Sequence, residues 1–212
     1  MTKPNWDFEE ACRLKESGMS YSDIARQLGV KVPTVCSYFW KHRGNLEHKT
    51  NTAKRVDLTQ LQKEVLFGTL LGDGHLIIND NCINATGKIE QCKVQSDYVL
   101  WKFDVFHNLA KPIKETARFD RRTGNTYYAS HFRFKTNPGL TDFYYQFYTD
   151  GKKDVPEDLS LLTPLAIAVW FMDDGYKGPK TSHFATNSFS RKGVGRLQTK
   201  LLDTYGWETT VD

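Results

Sequence analysis

The sequence lacks the segments that mark membrane, secreted and zinc-binding proteins. Its longest apolar runs fall well short of the roughly 20 residues that cross a bilayer as a helix. Its N-terminus is polar and mixed in charge, unlike a secretory signal. The four cysteines form no Cys-x-x-Cys pair, and no histidine pair follows at zinc spacing. We therefore expect a soluble, cytoplasmic protein with reduced thiols and no membrane partner.

A large excess of charge of either sign is also missing. Lys and Arg number 29 against 25 for Asp and Glu, so the net charge is only +4. This mildly basic balance is compatible with nucleic acid as a partner but does not require it. Hydrophobic residues make up 39% and aromatic residues 13% of the 212 residues, which excludes a disordered chain and predicts one or two domains.

Two apolar stretches end in the same way, in an aspartate followed by glycine. They are residues 66–74 (LFGTLLGDG) and 167–175 (IAVWFMDDG). Each predicts a buried helix with glycine just past its end, at a position of positive φ. Asp73 and Asp174 are unfavourable there, because a helix C-terminus carries partial negative charge. If the two helices pack side by side, the carboxylates also repel each other, and a bound divalent cation would remove both penalties.

Small residues on both helices favour such packing. Gly68 and Gly72 are four residues apart and therefore lie on one helix face, where they let a neighbouring backbone approach. Ala166 and Ala168 offer small side chains on the second helix. The alternative is a pair of ordinary core helices with acids in the turns that follow them.

The two stretches together resemble the paired signature motifs of the LAGLIDADG homing endonucleases. The first stretch matches at its leading Leu66, at Gly68, at the two following apolar positions and at the closing Asp-Gly. The second departs more, because Val169 stands where glycine is usual and Trp170 and Phe171 are bulky. Its Asp-Gly ending is kept.

The resemblance implies a fold, an activity and partners. The fold class is α+β, with two pseudo-symmetric αββαββα-type repeats that present a DNA-binding sheet surface. Residues 57–157 form the first repeat, and residues 158–212 form a second, incomplete one. The implied activity is site-specific hydrolysis of both strands of double-stranded DNA with Mg²⁺, for which Mn²⁺ can substitute. The implied enzyme is a monomer, nucleoid-associated, and of bacterial, phage or organelle-encoded origin.

Residues 1–45 read as a small three-helix unit. The spacing of Ala25, Gly29 and Val35 resembles the helix-turn-helix DNA-binding unit, in which alanine permits close crossing, glycine permits the turn and valine fills the core. A plain three-helix bundle or a protein-binding module is the alternative. By resemblance, four outward residues would meet DNA: Lys31, Thr34, Ser37 and Lys41. The polar residues 46–56 then form a linker, either along the DNA backbone or as a solvated loop.

The patterning between these landmarks predicts the order of the remaining elements. The predicted helices and strands alternate as helix 58–71, strands 75–78 and 89–94, helix 97–109, strands 113–119 and 127–135, and a helix from Pro138. A linker near residues 152–156 precedes a helix at 161–172, a hairpin at 176–189, a helix to Tyr205 and a strand at 209–211.

The end of the sequence leaves the second repeat shorter than the first. The missing strand pair would leave an unpaired sheet edge and an open core, which predicts low stability or rescue by a partner. No intein splice-junction residues are visible at the ends, which favours a free-standing or intron-encoded enzyme.

The resemblance also assigns site residues. Asp73 and Asp174 would each hold a metal ion, one for each strand cut, helped by the backbone carbonyls of Gly72 and Asp173. Gln95 and Lys135 would be the water-ordering and basic residues of the first repeat, and Asn187 the polar counterpart in the second. Simple polarity at strand ends is the alternative for Gln95 and Lys135.

Basic residues on the predicted strands would hold DNA, since alternate residues of a strand share one face of the sheet. The strand residues are Arg118, Arg133 and Lys135, and the hairpin arms carry Lys88, Arg121, Arg122 and Lys180. Ordinary surface charge is the alternative for any one of them. Two other functions use the same scaffold: a DNA-binding regulator that does not cut, and an intron RNA maturase.

Overall fold

The described part of the N-terminal unit contains two capped helices. The computed structural model describes residues 7–32, 34–35, 55–79, 82–149 and 151–211, and the chain divides into the units Met1–Thr50 and Asn51–Asp212. Helix α1, Phe8–Glu16, begins at Asp7, whose side chain accepts a hydrogen bond from Glu10 N. Helix α2, Tyr21–Gln27, begins at Ser20 in the same way.

The three residues behind the helix-turn-helix resemblance occupy the expected places. Ala25 and Val35 are buried at 1% and 0% exposure in a small core, and Gly29 follows α2 with φ of +65°. Lys31 and Thr34 are exposed. Ser37, Lys41 and most of the proposed linker lie outside the described residues, so the helix-turn-helix remains a prediction.

The second unit alternates helices and antiparallel strands. Its elements are α3 (Gln60–Leu71), β1 (His75–Ile77), β2 (Thr86–Cys92), α4 (Ser96–Val105), β3 (Lys114–Asp120), β4 (Asn125–Arg133), α5 (Pro138–Phe147), β5 (Tyr148–Thr149), β6 (Lys152–Lys153), α6 (Pro164–Asp174), β7 (Gly175–Lys177), β8 (Ser182–Phe184) and α7 (Arg191–Tyr205). This content confirms the predicted α+β class. Within the described ranges, no helix is both long enough and apolar enough to span a membrane.

The main sheet has four strands in the order β1-β2-β4-β3, and every pair is antiparallel. Its register aligns His75, Lys88 and Arg133 in one row across three strands. β7 and β8 form a separate hairpin. Helices α3 and α6 are buried in the shared apolar core, where Phe67 packs edge-on against Phe147 at 5.2 Å.

Local sequence explains where the helices begin. Thr59 and Gln62 form a reciprocal capping box at the start of α3. Pro138 and Pro164 occupy first-turn positions behind the capping side chains of Asn137 and Thr163, where a missing N–H has no cost.

Two predicted segments were wrong. The linker expected near residues 152–156 contains β6, which pairs with β5 through Tyr148 and Lys153. Its charged sequence suggested an exposed segment, but Lys153 is half-buried. The strand expected at residues 209–211 is absent. A strand needs a partner, and no described strand pairs with these residues.

Candidate active site at the paired helix ends

Helices α3 and α6 touch backbone to backbone. A Cβ atom placed on Gly68 would lie 2.2 Å from the carbonyl oxygen of Ala166 and 2.9 Å from Cβ of Val169. One placed on Gly72 would lie 2.5 Å from Cβ of Asp173. The predicted close packing is therefore confirmed, except that Ala168 is exposed and takes no part in it.

The glycines after the two acids serve a different purpose from the one predicted. None of the described glycines with positive φ is Gly74 or Gly175, and Gly175 has φ of −88°. Steric crowding requires glycine at these two positions instead. A Cβ atom on Gly74 would lie 2.4 Å from Thr69 Cγ2, and one on Gly175 would lie 2.1 Å from Phe171 Cδ2. The chain turns back on the last helical turn at both ends, and a side chain would collide with it.

The packed helices bring Asp73 and Asp174 side by side. Burial raises the pKa of Asp174 to about 6, together with the charge of Asp73, a hydrogen bond with Asp73 and the charge of Asp173, while Lys153 opposes these effects. The acids therefore form the crowded carboxylate pair that the sequence suggested. Their part in catalysis stays a prediction.

Lys153 reaches this pair from β6, although no local pattern in the sequence indicated it. Its ammonium group donates hydrogen bonds to the carbonyl oxygens of Gly72 at 2.9 Å and Gly74 at 3.0 Å. Burial lowers the pKa of Lys153, while the charges of Asp174, Asp73 and Asp173 pull it upward. The Gly72 carbonyl, expected to bind metal, is thus occupied by a lysine.

The neighbour of Lys153 fixes the hairpin in place. Asp154 accepts hydrogen bonds from the backbone N–H of Ser190 at 3.0 Å and from its hydroxyl at 2.5 Å. Ser190 is also the N-cap of α7. Helix α7 therefore anchors the short β5–β6 hairpin, whose last residue, Lys153, lies beside the acids.

Gln91 contacts Asp73, and Gln95 does not. The Gln91 amide nitrogen donates to Asp73 Oδ2 at 2.9 Å and lies 3.4 Å from Asp173 Oδ1. Gln95 is exposed, and its described contact is with the Cys92 thiol at 3.5 Å. Strand alternation was the available signal, because Gln91 shares the inward face of β2 with Ile89.

Asp173 points into the protein. Its carboxylate binds the Lys102 ammonium at 2.7 and 2.9 Å. Burial lowers the pKa of Lys102 and raises that of Asp173, and the pairing of the two charges opposes both shifts. The sequence predicted only a backbone role for Asp173.

The other predicted site residues lie elsewhere. Lys135 is exposed and donates to the carbonyl of Asn108 at 3.3 Å, so no described contact joins it to the acids. Asn187 is exposed in a turn after β8. Their catalytic roles remain predictions that the described contacts do not support.

The β3–β4 hairpin projects from the core. The first six residues of β3 and the first four of β4 are exposed, so neither face of this end packs on protein. Phe119, Tyr127 and Tyr128 are about half exposed, at 60%, 49% and 55%. Its exposed basic residues are Lys114, Arg118, Arg121 and Arg122, and Arg133 follows at the end of β4.

The acids suit a metal ion only in company with other ligands. In the described ranges no three or more His, Cys, Asp or Glu residues cluster as a metal site. The two adjacent carboxylates nevertheless fit Mg²⁺, which takes one or two carboxylates together with water and phosphate oxygens. A cation would also offset the burial and the repulsion by Asp73 that raise the pKa of Asp174.

The sequence is similar to known DNA endonucleases and maturases. The protein is 31% identical over 172 residues to the DNA endonuclease I-ChuI of Chlamydomonas applanata, covering 74% of this chain and 78% of that protein. It is 27% identical over 169 residues to the cytochrome b mRNA maturase bI2 of Debaryomyces hansenii, covering 74% and 64%.

A solved structure shares the fold. The homing endonuclease I-WcaI, bound to its DNA recognition sequence, superposes with a TM-score of 0.69 at 21% identity, covering 80% of this chain and 81% of that one. The sequence also matches the LAGLIDADG DNA endonuclease family over residues 63–212. The paired motifs, the fold and this match agree: the chain belongs to the LAGLIDADG DNA endonuclease family.

Proposed function

We propose that this protein is a site-specific endonuclease that hydrolyses both strands of duplex DNA with divalent metal ions. The observation that carries the proposal is the meeting of Asp73 and Asp174 at the ends of two helices packed too tightly for a side chain on Gly68 or Gly72. A pure binding protein has no use for two crowded acids at unfavourable helix ends.

The two carboxylates would hold Mg²⁺ or Mn²⁺ against the scissile phosphates. A bound ion would supply positive charge to the phosphate and to the attacking water. Gln91 donates to Asp73 Oδ2 and so fixes the orientation of that carboxylate. The amide oxygen of Gln91 remains an acceptor for the proton of an ordered water.

Lys153 would stabilise the negative charge that develops on phosphorus. Its ammonium is half-buried and held by two carbonyls beside the acids, and a partly desolvated charge acts more strongly than one in water. Because burial lowers its pKa, Lys153 also releases a proton more readily than an ordinary lysine.

DNA would lie on the sheet and around the β3–β4 hairpin. A two-stranded ribbon fits the major groove of B-DNA, and this hairpin is basic, aromatic and free of core contacts on both faces. I-WcaI, which has the same fold, was solved with its recognition sequence. Lys31 and Thr34 of the N-terminal unit would add further DNA contacts.

Cleavage of a plasmid library that carries randomised duplex inserts tests the proposal. With Mg²⁺, sequencing of the cut ends should recover one family of sites. Asp73→Asn and Asp174→Asn should each abolish cutting of at least one strand and leave binding intact. Asp104→Asn, which changes an exposed acid on α4, should cut normally. Binding without cleavage in any divalent metal would favour a regulator instead.

An RNA maturase is the second candidate, because the matched protein of Debaryomyces hansenii is a cytochrome b mRNA maturase. This function predicts splicing of a host intron RNA that depends on the protein and is insensitive to Asp73→Asn. Loss of splicing in that variant would argue against a separate maturase role.

A further inference from the structure

A lysine and an aspartate from different parts of the second unit are paired beside the two acids. Lys102 comes from α4 and Asp173 from the last turn of α6. The lysine nitrogen lies 2.7 and 2.9 Å from the two carboxylate oxygens. The side chains are 1% and 0% exposed, so water does not share in the contact.

The pair is built into a larger set of contacts. The Lys102 ammonium lies 4.4 Å from the ring centre of Tyr98, one turn earlier on α4. The Tyr98 hydroxyl contacts the Asp173 carboxylate and lies 3.3 Å from the carbonyl oxygen of Val169 on α6. Helix α4 is therefore tied to the end of α6 at two points.

Stability does not explain this arrangement. Removing two charges from water costs free energy that their attraction only partly returns, and apolar pairs of similar size often stabilise a protein as well or better. A buried ion pair of this kind is better explained by the fixed geometry that its directional hydrogen bonds impose.

That geometry passes directly to the proposed catalytic groups. Asp173 immediately precedes Asp174, and its Cβ faces Gly72, which immediately precedes Asp73. The amide nitrogen of Gln91 reaches both Asp73 Oδ2 and Asp173 Oδ1. We propose that Lys102 and Asp173 are positioning residues, which fix the two acid-bearing helix ends against each other and hold the Gln91 amide on Asp73. This inference rests on the proposed endonuclease function for its kinetic test.

The test is the double variant Lys102→Met/Asp173→Leu, which removes both charges together and leaves no unpaired buried ion. The control, Lys192→Met/Glu157→Leu, removes an exposed ion pair of 3.6 Å at the start of α7. Neither residue belongs to the proposed catalytic or DNA-binding groups. Three properties are measured: thermal unfolding, the Gln91 side-chain amide signal in a proton–nitrogen NMR spectrum, and the single-turnover rate of cleavage of the recovered site at saturating DNA. The NMR signal is assigned by its loss in the Gln91→Ala variant.

We expect the double variant to remain folded and to bind the site with unchanged affinity. Its Gln91 signal should shift, and its cleavage rate should fall about a hundredfold, because small misplacements of catalytic groups have large effects. The control variant should retain both the Gln91 signal and the rate.

An unchanged Gln91 signal, or cleavage at the wild-type rate, would overturn the inference. If the wild-type protein cuts no DNA, the proposed function fails, and the NMR signal alone still decides whether the ion pair positions Gln91. If the double variant does not fold, the Lys102→Arg variant serves in its place, because arginine keeps the positive charge and the hydrogen-bond donors. This variant should keep the Gln91 signal. Loss of the signal in a folded Lys102→Arg variant would also count against the inference.

Discussion

Asp174 holds its proton more tightly than an ordinary aspartate, because burial and the charge of Asp73 raise its pKa to about 6. An unfolded aspartate has a pKa of about 3.9. An acid whose pKa is higher in the folded state favours folding while it is protonated, and this contribution is lost as the pH rises through the interval between the two values.

We predict that the metal-free protein loses stability between about pH 4 and pH 6 through this group. Asp174→Asn should remove that part of the pH dependence and raise the melting temperature at pH 7, because the repulsion by Asp73 disappears. Thermal unfolding in a chelator across this range measures the effect. A variant that is less stable than wild type at pH 7 would contradict the proposed repulsion.

Lys153 and Lys152 are adjacent residues with opposite surroundings, which makes them a matched pair. Lys153 is half-buried against the carbonyls of Gly72 and Gly74, whereas Lys152 is exposed. Lys153→Met should reduce single-turnover cleavage by about a hundredfold or more, with little change in affinity for DNA. Lys152→Met should change cleavage by less than about twofold. Equal effects of both substitutions would mean that Lys153 contributes only as a general surface charge.

At the scale of elements, the contact between α3 and α6 has almost no tolerance for added atoms. Gly68→Ala would place a methyl group 2.2 Å from a backbone carbonyl. Overpacking of this kind typically destabilises a protein by about 1–3 kcal/mol, and separation of the helix ends should also reduce cleavage.

Gly195 in α7 is the control for this substitution, because nothing lies within 4 Å of a Cβ placed there. Gly195→Ala should stabilise the protein by about 0.5–1 kcal/mol, since alanine favours the helix interior. Denaturant unfolding compares the two variants. Similar stability changes in both would mean that helix propensity, not the helix contact, determines the outcome.

Most elements could be predicted from local patterns. Thr59, Pro138, Pro164 and Ser190 begin helices as their residue types favour. The β5–β6 hairpin was missed because its strands have two residues each, too few for any alternation to appear. Lys153 was therefore assigned to a linker, and the basic role passed to Lys135 at the end of a more obvious strand.

At the scale of the whole molecule, the net charge of +4 is too small to attract DNA evenly, so binding should depend on local surfaces. The projecting β3–β4 hairpin is the clearest of these. We predict that replacing Arg118, Arg121 and Arg122 with glutamine weakens DNA binding. The slope of log affinity against log salt should become shallower by up to about 3, since each phosphate that a basic side chain neutralises adds about 0.9 to it.

Fluorescence anisotropy with a labelled duplex over a range of salt concentrations measures this slope. The control is Lys192→Gln on α7, whose ammonium lies 3.6 Å from Glu157 and so has an acidic neighbour. An unchanged slope in the triple variant would place the phosphate-binding residues on another surface.

The sequence by itself determined the family, the α+β class and the positions of Asp73 and Asp174 at the ends of two buried helices. These features depend on local signals: apolar runs of helical length, small residues at helical spacing, and aspartates at helix ends, where folding alone disfavours them. Only the tertiary structure decided which residues surround the acids. Gln91, Lys102 and Lys153 come from three separate elements, and their meeting depends on strand register and helix packing between residues distant in sequence, which no local pattern records.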